Sequence, residues 1–171
     1  MGTHGTNGFV GNLIGSNTYG VASITRIPLI GVHKGMSRRG YRHIIYPVRD
    51  ESKAIAKFHH ALTFARIFRS RVEVLGLLRP EHRKHEKGIR TQCAAVQKRF
   101  RQNGIPTRVN FTYSDFFPEA IIRHAHAFPG SLVATLQDAD FHLVEMFQGT
   151  FTKKVLHAIL SPVLVIPSSR S

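Results

Sequence analysis

Gly2, Gly5 and Gly15, with the hydroxyl of Ser16 directly behind them, open this chain in a spacing that suits phosphate chemistry. Glycines let backbone N–H groups approach phosphate oxygens closely, and a helix starting there turns its own N–H groups toward the anion. Such a loop ordinarily follows a buried strand, yet only Met1 stands before it. The other reactive side chains form no comparable pattern. Of the 11 histidines, His82 and His85 fall in a basic loop, and His124 and His126 are two apart, on different faces of a helix. Neither pair has acidic or thiol partners at ligand spacing, so no metal site is expected. Cys93, the single cysteine, lies at an apolar helical position and reads as an inert core thiol. No G-x-S-x-G and no Ser/His/Asp arrangement is present, so catalysis is not expected.

The elements that must position these residues alternate from Tyr41 onward. Strands are expected at 42–48, 71–78, 107–113, 131–137 and 162–167, each a short apolar run. Helices are expected at 52–68, capped by Ser52, and at 84–103, with Ile89, Cys93, Val96 and Phe100 inward and Gly104 and Pro106 ending it. Two more are expected at 117–128, opening near Pro118, and at 149–160. Strand–helix alternation with apolar strands points to a parallel sheet covered on both faces, closed by right-handed crossovers into a three-layer open α/β sandwich. The first forty residues add a loop, a helix at 16–25 and one strand at 28–33, before a Gly- and Arg-rich linker.

The two ends of the chain repeat each other at an offset of 134. Gly15, Ser16, Val21 and Pro28 fall on Gly149, Thr150, Val155 and Pro162, so "GSNTYGVASITRIPLIGV" lies over "GTFTKKVLHAILSPVLVI" without a gap. G-x2-G-x9-G-S, followed by a helix and a Pro-initiated apolar strand, resembles the universal stress protein family, whose ATP-binding members carry G-x2-G-x9-G-(S/T) at this place. The resemblance covers the whole chain and implies a five-stranded parallel, Rossmann-like sheet. It implies that residues 1–34 are the end of a first domain, 35–40 a linker, 41–168 a complete second domain and 169–171 a tail. Met1 is then an internal methionine used as a start, or the edge of a truncated gene.

Carried over residue by residue, the resemblance splits the nucleotide site. Gly2, Gly5, Gly15 and Ser16 keep the phosphate loop but have no first and second strands of their own. The complete domain has those strands, yet only Gly149 and Thr150 of its motif, since Leu136 and Ala139 replace the two early glycines. Asp138, Asp140 and Glu145 in the same loop would repel phosphates. Family members end the first strand in P-(V/T)-D with the acid near adenine. Here Pro47-Val48 is followed by Arg49, with Asp50 one step late. No cofactor is therefore expected, ATP being the ligand to test.

Lys and Arg number 24 against 10 Asp and Glu, a net charge of +14, which favours anionic partners. Lys87, Arg90, Lys98 and Arg101 fall near one outer helical face, read mainly as solvated surface and secondarily as a nucleic-acid or polyanion contact. No apolar run reaches membrane-span length and the start lacks a secretory pattern, so a cytoplasmic protein without a membrane partner is expected. The apolar strands from Pro28 to His33 and from Pro162 to Pro167 are expected to pair antiparallel, within one chain or across a homodimer. The function implied is a non-catalytic stress-response or regulatory protein. The alternatives are a basic nucleic-acid-associated protein on the same fold, or an ATP-binding stress protein that completes its site by oligomerisation.

Overall fold

Short apolar runs and amphipathic segments form the elements their spacing demands. The computed structural model describes residues 26–32, 41–49, 51–81, 83–136 and 161–167. In chain order these are β1 (Leu29–Gly31), β2 (His43–Val48), α1 (Phe58–Ile67), β3 (Arg71–Leu78), a 3-10 turn (Arg83–His85), α2 (Glu86–Gln102), β4 (Thr107–Tyr113), α3 (Phe117–His126), β5 (Leu132–Leu136) and β6 (Val163–Ile166). They build one sheet in the order β1-β6-β5-β2-β3-β4. The five strands from β6 to β4 are parallel, while β1 runs antiparallel along β6 with Leu29 opposite Val165. The expected α/β fold with its parallel sheet is thus present, and within one chain β1 adds a sixth, antiparallel strand. Gly2, Gly5, Gly15, Ser16, Asp50, Gly149 and Thr150 lie outside the described residues, as do the expected helices at 16–25 and 149–160.

Alternation along the strands divides the core in two. Ile44, Tyr46, Val48, Val72 and Val74 face α1 and α2, meeting Phe58, Leu62, Ile89, Val96 and Phe100. Ile45, Leu75 and Leu77 face α3, meeting Ala120, Ile121, Ile122 and Ala125. Cys93 is buried as expected, and burial pushes its thiol up to about 12, far from a reactive thiolate. Among the described residues no helix is long and apolar enough to cross a membrane.

One boundary differs from expectation. The helix does not start at Ser52: residues 51–57 form successive turns, and α1 begins at Phe58 with no side-chain cap. The turns are tight because β2 holds them. The Tyr46 hydroxyl donates to Ala54 O at 2.6 Å and Lys57 Nζ donates to Pro47 O at 2.6 Å. Those tethers favour the three-residue bonds Ala56 N to Lys53 O and Phe58 N to Ile55 O over α-helical ones.

Both longer chain reversals after helices use the same cap. After α2, Ile105 N donates to Phe100 O and Gly104 N to Arg101 O, with Gly104 at φ 74°. After α1, Ser70 N donates to Ala65 O and Arg69 N to Arg66 O, but the left-handed position is held by Arg69 at φ 51°. A side chain there costs about 1 kcal/mol that glycine avoids. Arg69→Gly is expected to raise stability by about 0.5–1 kcal/mol in urea unfolding. A loss of stability would show that the Arg69 side chain contributes more than its backbone costs.

Candidate functional site

β2 and β3 are adjacent and parallel, with Val48 opposite Gly76. β2 passes into Arg49 and β3 into Arg79, so both strands leave the sheet through an arginine at their carboxyl ends. This is the end at which open α/β sheets bind ligands, close to the point between β2 and β5 where the strand order reverses. A crevice of about 290 Å³ opens there, lined by Arg49, Leu77, Leu78, Arg79, His85, Glu86, Ile89 and Phe117. Its walls are the starts of α2 and α3, one on each side of the sheet.

The polar groups of this crevice are unevenly satisfied. Glu86, the one carboxylate among its described lining residues, accepts from Arg90 Nε at 2.8 Å and from the Tyr113 hydroxyl at 2.9 Å. Arg90 also lies over the Phe111 ring, 4.2 Å from its centroid. The Arg79 guanidinium stands over the Phe117 ring, 5.3 Å from its centroid. Arg49 Nε is buried with no hydrogen-bond partner among the described residues. A buried donor left unpaired costs about 1–3 kcal/mol, so an acceptor placed here would recover that energy. His85 is the residue before α2, and its side chain does not cap the helix. Its Nδ1 lies 3.9 Å from Glu51 Oε1 on the exposed rim.

Pro47, expected at the site, is buried in the ladder opposite Leu75, and its carbonyl is taken by Lys57 Nζ. It therefore shapes the wall rather than facing a ligand. Two members of the basic face of α2 are also engaged. Arg90 is held as above, and Arg101 donates through Nε and Nη2 to Thr107 O at 3.3 and 3.1 Å, tying α2 to β4.

The sequence alone also missed a cluster at the opposite, amino end of the strands. Glu73, in the third position of β3, has no solvent exposure and faces α3. Arg108 Nε donates to it at 2.7 Å, Asn110 Nδ2 donates at 2.5 Å, and His124 Nε2 of α3 completes the shell. His43 Nε2 of β2 lies 3.1 Å from Glu73 Oε2, off the line a hydrogen bond needs, so both its ring nitrogens stay buried without a partner. Phe128 covers the group, edge-on to His43 at 4.4 Å and beneath the Arg108 guanidinium at 4.7 Å. Burial opposes ionisation of Glu73, but the bonds from Arg108, Asn110 and His124 outweigh it and hold the carboxyl below its ordinary range. Burial dominates at His43 and lowers it, against the opposing pull of Glu73. Among the described residues no three His, Cys, Asp or Glu side chains are placed to hold a metal ion.

No family model and no curated protein matches this chain. Solved structures do. A putative universal stress protein from Pseudomonas aeruginosa UCBPP-PA14 superposes with TM-score 0.64 at 16% identity, over 98% of this chain and 62% of its own. A universal stress protein from Archaeoglobus fulgidus DSM 4304 gives 0.63 at 14% identity, over 88% of this chain and 53% of its own. This chain therefore spans about half to three-fifths of the length of these two neighbours. A universal stress protein solved in complex with cAMP gives 0.53 at 10% identity, over 76% of this chain and 99% of its own. At these identities the likeness is one of fold.

The Glu73 cluster predicts an acid-labile fold. Both groups carry depressed pKa values, so each holds fewer protons folded than unfolded, and stability falls as pH falls. The His43 part is lost as pH drops below about 6.5, and the Glu73 part below about 4.3. His43→Phe keeps the ring against Phe128 and removes the unpaired nitrogens. It should match or exceed the parent Tm near neutral pH and flatten the decline between about pH 7 and 5. Glu73→Gln should cost about 2 kcal/mol at neutral pH, since half-exposed Arg108 can turn to water. An unchanged decline in His43→Phe would remove His43 from this account.

Proposed function

We propose that this protein is a non-catalytic regulator of the universal stress protein type, acting by association, whose crevice does not recognise adenine nucleotide. The observation that carries this reading is Arg49. The resemblance places an acid next to adenine after P-V at the end of the first strand. Here an arginine occupies that step, at the mouth of a crevice also lined by Arg79. A guanidinium offers donors only and cannot accept from the adenine amino group as a carboxylate does. Among the described residues the lining has no Ser, Thr, Cys or Lys to act as nucleophile, and Glu86 is held by Arg90 and Tyr113, which supports a binding rather than a catalytic role.

The nucleic-acid alternative is weakened by the same geometry. Arg90 and Arg101 stay exposed but turn their Nε and Nη2 donors to Glu86, Tyr113 and Thr107, so of the expected α2 face only Lys87 and Lys98 have their charged ends uncommitted among the described residues. Two lysines are a thin footprint for a duplex. The relative solved with cAMP makes a cyclic nucleotide a second ligand to test. The tandem reading also belongs here: β1 runs antiparallel along β6, as the last strand of a first domain or of a second copy would. We take the second copy of that reading as a homodimer, the commonest symmetric assembly. Sedimentation should then give twice the chain mass, and a monomer would remove the dimer without touching the crevice.

Adenine recognition is tested by comparing ligands that share phosphates. In thermal unfolding, ATP and cAMP should raise the Tm no more than tripolyphosphate and phosphate at matched ionic strength. A shift that requires the adenine ring would overturn the reading.

A further inference from the structure

The structure assigns the crevice between Arg49 and Arg79 to a small phosphomonoester, a short carbon skeleton bearing a phosphate. The site rests on the regulatory reading above only for its purpose, because the binding chemistry is that of the crevice itself. Three observations converge on it. The parallel register of β2 and β3 brings two arginines to one end of the sheet from positions thirty residues apart in sequence. Arg49 Nε is a buried donor with no acceptor, and Arg79, exposed over the Phe117 ring, has no hydrogen bond or ion pair among the described residues. Glu86, the one carboxylate among the described lining residues, is already committed to Arg90 and Tyr113, so it does not neutralise the pair.

The chemistry of the remaining lining selects the class of ligand. Paired guanidinium groups match the oxygens of a phosphate in planar, charge-assisted bonds. The 17-residue α2 also starts at this crevice, but its first turn already meets the Glu51 carboxylate packed against Gly88, so the arginines are the ligand's charge partners. Leu77, Leu78, Ile89 and Phe117 lower the local dielectric around the arginines and give an apolar surface for carbon atoms, which a bare ion would leave unused. A cavity of about 290 Å³ lies at the small end of ligand pockets. It is recessed between two helices, a shape that suits a small molecule rather than the continuous backbone of a nucleic acid.

The test uses the full chain with glycerol 3-phosphate as probe, read by calorimetric titration and by thermal unfolding. Glycerol 3-phosphate should bind and raise the Tm, inorganic phosphate should do so more weakly, and glycerol should do nothing at matched ionic strength. Arg49→Gln and Arg79→Gln should each weaken binding about tenfold or more. Lys98→Glu, on the exposed face of α2, should bind as the parent does. Arg79 is exposed, so Arg79→Gln carries the test even where Arg49→Gln folds poorly. Equal binding by the parent and both arginine variants would overturn the site, as would the absence of any glycerol 3-phosphate binding. Displacement of the probe by duplex DNA with a steep salt dependence would replace the small ligand with a polyanion. A Tm shift that requires adenine would count against the regulatory reading alone, whereas loss of the phosphate effect would count against this site alone.

Discussion

A carboxylate with no access to water permits few arrangements around it, and Glu73 ties together three elements at once, β3, β4 and α3. Burying an ion without partners costs several kcal/mol even after the protein relaxes. Arg108 and Asn110 must therefore come from alternate positions of β4, which fixes that strand against β3 in one register. His124 must come from the last turn of α3, which fixes that helix over the sheet. A one-residue slip of β4 would turn Arg108 and Asn110 to the opposite face and leave the charge bare. The apolar residues of α3 would tolerate several positions over Ile45, Leu75 and Leu77, but the polar bond tolerates one.

That restraint reaches the crevice at the other end of the sheet. With α3 anchored through His124, its first residue Phe117 is set beside the end of β3, where it lies under the Arg79 guanidinium. On the other face Lys57 does corresponding work. It is buried, its ammonium stands 4.8 Å from the Tyr46 ring centroid, and it donates to Pro47 O just before Arg49. An anionic side chain on one face and a cationic one on the other thus hold the two walls. Neither charge enters the crevice itself.

Sequence periodicity made the sheet legible because its central strands are buried on both faces and read as nearly unbroken apolar runs, while edge strand β4 is bounded by the Pro and turn residues around it. The bounds of β3 and β4 follow directly from "RVEVLGLL" and "TRVNFTY". The start of α1 did not follow, since Ser52 makes a good local cap while the side-chain tethers that join β2 to the turns, Tyr46 to Ala54 and Lys57 to Pro47, span eight and ten residues and leave no local pattern. Glu73 was hidden for the same reason. Its partners lie 35, 37 and 51 positions away, and an acid in an apolar run carries no mark of which face it takes. The antiparallel alignment of the two Pro-initiated segments was readable from the repeat, because equivalent edge strands share a need for cover. The convergence of Arg49 and Arg79 required the strand order, which no local pattern encodes.

The positions of these charges separate what the fold can change from what it cannot. Glu73 lies inside the ladder, so altering it disturbs the register of β4 and the seat of α3 together. Arg49 follows the last paired residue of β2, Val48, and its backbone carries no further ladder pair. Replacing an acid by an arginine at that step leaves every strand pairing in place and reverses the sign of the field at the mouth of the crevice. A scaffold of this kind holds its architecture through charges buried at one end of the sheet and chooses its ligand through charges exposed at the other. On the proposed reading, the ligand class changes from one that needs an acceptor beside a base to one that needs donors around a phosphate, with the core between them unaltered.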